Sequence, residues 1–486
     1  MKTKHFPNFF FAIAILCFSV LITQCNSEDD KDPIEEPEEV ELTQEVVANL
    51  YRTNCGGCHG QRFESFIERD WAYGNSSDQV YASIRDGYAE NGMPAYGAVL
   101  NEEEIEAIAA YILTEIEGKT QEMLLEENPD LSGIIESDDM DFRLEELTDE
   151  INEVPWGLVQ LPDGSLLVTG KSGNLYRITT DKTLESISIS GLPTMYNEGQ
   201  GGLLDITIHP DFAENNFIYF TYSKTDPTNE YMHTTATARG VLAGNALTGI
   251  EDIFVALPYF GTGHHFGSRL QFDNDGYLFV TVGDRGNRDV FPQDLTTMAG
   301  KVHRIHDDGT IPTDNPFFNG DDPTGTIYSY GIRNPQGLCR HPVTGDIWEG
   351  EHGPRGGDEI NIIGSGNNYG WPVITYGINY DGTPITDQTE MAGMEQPIHY
   401  WVPSIAPAGM DFVAGDLYNG WTNDLFVGAL SASYLHRLIM NGNEVVGHEE
   451  LLQGIGRIRD VEMGSDGYLY IAVENPGRVF RIVPEN

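Results

Sequence analysis

Five stretches of different hydrophobic and polar patterning follow one another along the chain. After Lys2 and Lys4 an apolar run extends from Phe9 to Ile22, the length of a signal-peptide core and short for a membrane span. Residues 25–41 then turn acidic, with Glu28-Asp29-Asp30, Asp32, Glu35-Glu36 and Glu38-Glu39 broken by Pro33 and Pro37, a composition that stays solvated as a tether. From residue 42 to 118 the apolar positions take helical spacing: Val46, Val47, Leu50 and Tyr51 near the start, Ile105, Ile108, Ala109, Ile112 and Leu113 near the end. Residues 119–141 lose that pattern and read as a connection containing Pro129 and Ser132-Gly133. Beyond residue 142 short apolar or alternating runs are joined by turn pairs, as in Pro162-Asp163-Gly164 before Leu166-Leu167-Val168 and Asp273-Asn274-Asp275-Gly276 before Leu278-Phe279-Val280. The form returns at Thr344-Gly345-Asp346 before Ile347-Trp348 and at Ser465-Asp466-Gly467 before Leu469-Tyr470-Ile471. About six such units occur, spaced too widely for a sandwich. The predicted fold is a small all-α domain followed by an all-β six-bladed β-propeller spanning residues 142–486.

Composition narrows the partners. The 486 residues hold 27 basic and 76 acidic side chains, a formal charge of −49, which disfavours nucleic acid and anionic surfaces. Cys17, Cys25, Cys55, Cys58 and Cys339 give no disulfide framework, so the large domain stands on packing. Cys339, between Leu338 and Arg340, reads as a small buried hydrophobe.

The most specific chemistry is Cys55-Gly56-Gly57-Cys58-His59. Two thiols at this spacing add to the vinyl groups of a haem, and the adjoining histidine becomes an axial iron ligand. A redox disulfide or half a zinc site would leave His59 unexplained, and no second such cysteine pair completes a zinc ribbon. The whole segment resembles a class I cytochrome c. Gly92-Met93-Pro94-Ala95-Tyr96 matches that family's methionine loop, and the resemblance implies Met93 as the second axial ligand; an empty sixth position, or Met123, is the alternative. Ile22-Thr23-Gln24-Cys25 is similar to a bacterial lipoprotein cleavage site, with residues 1–24 as signal peptide and Cys25 lipidated, although Gln24 replaces the usual small residue. An ordinary cleaved signal or an uncleaved anchor remains open. The acidic run after Cys25 also resembles surface-export signals of some lipoproteins, with a plain linker as the other reading.

Residues 150–486 resemble the glucose/sorbosone dehydrogenase family of soluble pyrroloquinoline quinone (PQQ) enzymes. The match is carried by Gly201-Gly202-Leu203-Leu204, His265-Phe266-Gly267-Ser268-Arg269, Gly283-Asp284, Gly331-Ile332-Arg333-Asn334-Pro335-Gln336, Glu351-His352-Gly353-Pro354, Asp358-Glu359-Ile360-Asn361, Asn368-Tyr369-Gly370-Trp371-Pro372, Pro403-Ser404 and Arg457-Ile458-Arg459-Asp460. The resemblance implies His265 as general base toward the sugar hydroxyl. It implies Arg333, Asn334, Gln336, Ser404, Arg457 and Arg459 around PQQ, with Arg333 also stabilising the reduced cofactor. Carbonyls of Gly353 and Pro354 would hold the calcium at PQQ, and Glu359 and Tyr369 a structural calcium. Three features depart from the glucose enzymes: Ser431 stands where they place a lysine for PQQ, His264 and Asp289 stand where they place other sugar-contacting residues, and a haem domain is fused.

The expectation is an exported quinohaemoprotein, lipid-anchored in the cell envelope on the periplasmic side or the surface. It oxidises an aldose or related alcohol with PQQ and calcium and passes electrons through haem c to a downstream acceptor. The alternative is a non-catalytic carbohydrate-binding or sensing propeller tethered to an electron-transfer cytochrome.

Overall fold

The computed structural model describes residues 42–59, 63, 66–67, 71–88, 93–119 and 131–485. The apolar run, Cys25, the acidic tether and Met123 lie outside the described residues. Among the described residues no helix is long and apolar enough to cross a membrane.

The helical domain contains α1 (Gln44–Asn54), α2 (Gly56–His59), α3 (Ser77–Asp86) and α4 (Glu102–Ile116). Local sequence sets their starts. Ser76 with Gln79, and Asn101 with Glu104, form reciprocal capping boxes that satisfy amide donors at the first turns of α3 and α4. Val47 and Tyr51 of α1, Val80 and Ile84 of α3, and Ile105, Ile108 and Ile112 of α4 bury their apolar faces in one core, together with Cys55, Phe63 and Tyr96. The Tyr96 hydroxyl donates to the Asn54 carbonyl at 2.5 Å, fastening the loop after Met93 to the turn that begins the haem motif.

The remainder is a ring of six four-stranded antiparallel blades. Five are continuous in sequence, at residues 155–189, 203–255, 270–330, 335–401 and 407–451. The sixth combines three C-terminal strands of residues 457–484 with the strand Phe142–Ile151, which pairs with Gly477–Pro484 in register Phe142↔Pro484. The ring is thus closed by the two ends of the domain. A parallel pairing of Ser188 and Ile189 with Ala246 and Leu247 also ties the first blade to the second.

The turn chemistry behaves as its residues require. Gly164, Gly276 and Gly467 all take φ between 83° and 87°, and Asp163, Asp273 and Asp466 accept backbone N–H bonds across the same turns. Strands such as Leu278–Val282 and Leu425–Ala429 are buried throughout, because each blade is covered on both faces by its neighbours. The later part of the connection is docked rather than loose: Leu131, Ile135 and Met140 pack against the core of the fifth and sixth blades. Asp139 pairs with the fully buried Arg437. Cys339 is buried in a strand, as its apolar setting predicted, and burial pushes its thiol well up, away from nucleophilic character.

Candidate functional site

Two loops bring His265 and Asp284 together. His265 follows the second blade and has φ 54°, while Ser268 (85°) and Arg285 (54°) are also left-handed, a concentration of costly backbone in one place. The strain is held by specific bonds. The His265 amide donates to Gln200 Oε1 at 2.8 Å. Arg285 donates to the carbonyls of His264 and Thr262 while lying 3.5 Å over the Phe266 ring. His265 Nδ1 lies 2.7 Å from Asp284 Oδ1, and Asp284 Oδ2 accepts from Trp371 Nε1 at 2.9 Å. Burial alone would raise the Asp284 carboxyl, but the charges of His265 and Arg333 and the bonds it accepts outweigh this and hold it down to about 2. The carboxylate therefore accepts Nδ1–H, which leaves Nε2 with a lone pair. Burial, followed by the Arg333 charge, keeps His265 below the ordinary imidazole range, so it is a neutral proton acceptor at pH 7.

A cluster of guanidinium groups shares this face. Arg333 donates through Nη1 to the carbonyls of His352 and Gly353, at 2.8 and 2.7 Å. Arg457 and Arg459 point the same way from one strand and share Glu474, with Nε to Oε2 at 2.9 Å and Nε to Oε1 at 2.6 Å. Arg459 Nη1 reaches Gln336 Oε1 at 3.1 Å, and Gln336 Nε2 donates to Asn334 Oδ1 at 3.4 Å, so these four sequence-predicted residues form one bonded group. In a chain of formal charge −49, this concentration of cations fits a polycarboxylate such as PQQ. Ser404 donates to both oxygens of Asp358, at 2.9 and 2.7 Å, and Ser431 donates to the Ser404 carbonyl at 3.3 Å. Ser431 thus sits beside Ser404 and brings no charge where the glucose enzymes place a lysine. His264 is packed edge-on to His265 at 4.6 Å, whereas the Asp289 side chain is 78% exposed and paired with Arg288.

The donors suited to hard cations fall into two places. Gly353 and Pro354 lie buried in one loop, pinned by a 2.8 Å bond from the Gly353 amide to Asp358 Oδ1, and the Gly353 carbonyl is already directed at Arg333. Separately, Glu349 faces Asn361 and Glu351 faces Glu359 across two paired strands of the fourth blade. All four are buried, and Glu349 Oε1 and Asn361 Oδ1 have no hydrogen-bond partner. Burial and the Glu351 charge raise both Glu349 and Glu359 well above the usual carboxylate range. Orphaned oxygens beside Glu359 suit a calcium ion, which would supply the missing positive charge. The Tyr369 phenol is committed elsewhere, to the Ile362 carbonyl at 2.5 Å, so its side chain serves the fold.

The haem-type donors lie in or beside the helical core. Cys55 is buried in the helical core, Met93 packs against that core, and His59 stacks on Phe66 at 4.6 Å. Met93 is held by paired backbone bonds with Tyr88 at 2.8 and 3.1 Å. Burial, with a contribution from Arg457, pushes His59 down to about 4, leaving a neutral imidazole able to ligate. This thiol, thioether and imidazole set fits haem c. Cys58 lies in α2; its side chain is outside the described residues.

Residues 152–481 match the family model described as Glucose / Sorbosone dehydrogenase. The chain belongs to the glucose/sorbosone dehydrogenase family. Residues 43–112 match a second model, described as Cytochrome C oxidase, cbb3-type, subunit III. The aldose sugar dehydrogenase YliI of Escherichia coli is 41% identical over 350 residues, covering 71% of this chain and 93% of that protein. The quinoprotein glucose dehydrogenase B of Acinetobacter calcoaceticus is 26% identical over 408 residues, covering 67% and 84%. The crystal structure of the soluble aldose sugar dehydrogenase of E. coli in its apo form superposes with a TM-score of 0.66 at 39% identity, covering 71% of this chain and all of that one. The protein is therefore a glucose/sorbosone dehydrogenase-type propeller fused to a small helical cytochrome c domain.

Several residues that shape this glucose/sorbosone dehydrogenase site carried no assigned role in the sequence. Asp284 stood in a quoted motif and Trp371 in another, but only their meeting at His265 reveals a shared task. Asp358 gathers Gly353, Ser404, Ile405 and Ala406 with one carboxylate. Glu474 had no signal at all; its place opposite Arg457 is a matter of strand register.

Proposed function

We propose that the chain oxidises an aldose or related alcohol with PQQ and calcium and passes the electrons through haem c. The carrying observation is the pairing of His265 with the buried Asp284, beside Arg333 and the bonded group of Asn334, Gln336, Arg457 and Arg459. Asp284 fixes the His265 tautomer so that Nε2 can take the proton of the sugar hydroxyl. Arg457 and Arg459 would hold carboxylates of PQQ, with Asn334, Gln336 and Ser404 as polar neighbours, and Arg333 would place fixed positive charge where negative charge develops. The carbonyls of Gly353 and Pro354 would hold the calcium at PQQ, and Glu359 a structural one. When bound, PQQ supplies a two-electron acceptor and the haem, held by Cys55, Cys58, His59 and Met93, a one-electron relay. A quinoprotein among the relatives and the cytochrome c domain support this reading. Within it, the chain is exported and lipid-anchored at Cys25 in the cell envelope, delivering electrons to a further carrier.

Titration of the full chain with PQQ in the presence of calcium tests the reading. Saturable binding that is lost in Arg457→Ala with Arg459→Ala, together with aldose-dependent reduction of a dye, is expected. No binding at micromolar PQQ would return the propeller to a binding or sensing role, for which Ser431 in place of a cation is the motive.

A further inference from the structure

One buried guanidinium joins the inner strands of the propeller. Arg269, at the entry to the third blade, donates to the side chains of Asp205 and Asp460 and to the carbonyls of Gln336 and Arg459, at 3.1, 2.6, 2.7 and 2.9 Å. Small residues make room for the two carboxylates: a Cβ on Gly157 would stand 2.9 Å from Asp205 Oδ1, and one on Gly409 would overlap Asp460. Their remaining oxygens accept the amides of Leu270 and Leu158, each at 2.7 Å. The two carbonyls that Arg269 holds belong to residues whose side chains meet, Arg459 Nη1 with Gln336 Oε1 at 3.1 Å. Anchoring the backbone leaves the long Arg459 side chain its rotamer freedom. Arg457 and Arg269 repel it by charge, and Glu474, which it shares with Arg457, offsets that repulsion in part. Trp156 supplies a further constraint. Its ring, on the first strand of the first blade, is buried, and both guanidiniums lie over it, Arg269 at 4.4 Å and Arg459 at 5.7 Å from the centroid. The negative π face attracts each of them, so one ring holds two like charges in place. The ring is itself fixed by packing with Leu204 and Phe266.

We propose that Trp156 is a positioning residue for the cofactor: its ring seats Arg459 beside Arg269, so that the Arg459 guanidinium stands preformed against Gln336 and meets a carboxylate of PQQ without reordering. This rests on the dehydrogenase reading above. Ordering a flexible side chain before the ligand arrives removes part of the cost of binding, so the effect is read in cofactor affinity. Trp156 itself needs no contact with PQQ, because it acts through Arg459.

Equilibrium dialysis of PQQ against the full chain in calcium tests this. Trp156→Leu keeps an apolar side chain but no π face, and is expected to weaken PQQ binding about tenfold. Trp156→Phe restores a smaller face and is expected to lose only about threefold. In an Arg459→Ala background Trp156→Leu should add less than about twofold, since no guanidinium is left to seat, whereas a general disturbance of the fold would cost the same tenfold again. Should Trp156→Leu not fold, Trp156→Phe is carried through the same two backgrounds, its smaller loss again expected to vanish without Arg459. Crystals of the Trp156 variants grown without cofactor give a second reading, in which Arg459 Nη1 is expected to leave Gln336 Oε1. Unchanged PQQ affinity, a loss undiminished in the Arg459→Ala background, or an unmoved Arg459 overturns the positioning role. Absence of saturable PQQ binding by the natural sequence would overturn the dehydrogenase reading instead, and the place of Arg459 in the crystals would still decide whether Trp156 seats it.

Discussion

Replacing Asp284 with asparagine changes almost no volume but removes the property on which the His265 arrangement depends. The carboxylate is 1% exposed and accepts from His265 Nδ1, Trp371 Nε1 and the Gly286 amide, at 2.7, 2.9 and 2.8 Å. Asparagine offers one acceptor oxygen and one donor. If the oxygen faces Trp371, the amide N–H faces His265, which must then present a lone pair at Nδ1 and carry its proton on Nε2, the wrong tautomer for a base. If the oxygen faces His265, two N–H groups confront each other beside Trp371. Loss of a charged hydrogen bond costs about 1.5–3 kcal/mol, or roughly 10- to 150-fold, and loss of the tautomer in comparable histidine–aspartate pairs raises the deficit toward ~10⁴. Asp284→Asn should therefore lower kcat/KM for aldose-dependent dye reduction by about 10²–10⁴ while leaving PQQ affinity within a few-fold. The pH profile gives an independent sign. His265 is held below its ordinary value of 6.5 by burial and Arg333, so in the natural sequence activity should persist below pH 6.5 and fall only as the imidazole is protonated. Asp284 pulls that value upward; without it the acid limb of the residual activity should move to lower pH. Activity within threefold of the natural sequence, with an unmoved acid limb, would refute Asp284 as the residue that orients the base.

Two further outcomes concern stability. Arg269 donates to Asp205 of the second blade, to the Gln336 carbonyl of the fourth, and to Asp460 and the Arg459 carbonyl of the sixth, at 3.1, 2.7, 2.6 and 2.9 Å. Arg269→Met strands two buried carboxylates and should cost about 3–5 kcal/mol by urea unfolding at pH 7; a loss below about 1 kcal/mol would deny it that bridging role. Saturating calcium should raise the melting midpoint of the chelated protein by about 5 °C, and Glu359→Gln should abolish the part of that rise due to the fourth-blade site; an unchanged calcium response in this variant would remove Glu359 from the ligand set.

The sequence was most legible where local chemistry is repeated. Asp-Gly turns at Asp163, Asp275 and Asp466 mark the hairpins of three blades because the left-handed glycine is a local demand, and the helical spacing around Val47 and Ile108 marks the two helices that meet in the haem-domain core. The pairing of Arg457 with Arg459 was also readable, since residues two apart on a strand share a face. What escaped was set by register and distance. Glu474 lies opposite Arg457 only once the last blade is paired, and Glu349 joins Glu359 only through cross-strand alignment. Trp371, 87 positions from Asp284, meets it only after two blades have been laid side by side. The packing of Leu131, Ile135 and Met140 was not legible in a stretch that reads only as a connection, because its apolar residues are too sparse to announce a partner surface.

The closing strand Phe142–Ile151 gives the chain an order of events during synthesis. The haem domain is complete before the first propeller strand is made, whereas that strand waits for Gly477–Pro484, more than 320 residues later, to find its neighbour. Contacts so distant in sequence make closure slow and late. Until the final residues arrive, the propeller is an open arc with an unpaired edge at either end, so loss of the last strand would leave a folded cytochrome attached to a ring that cannot shut.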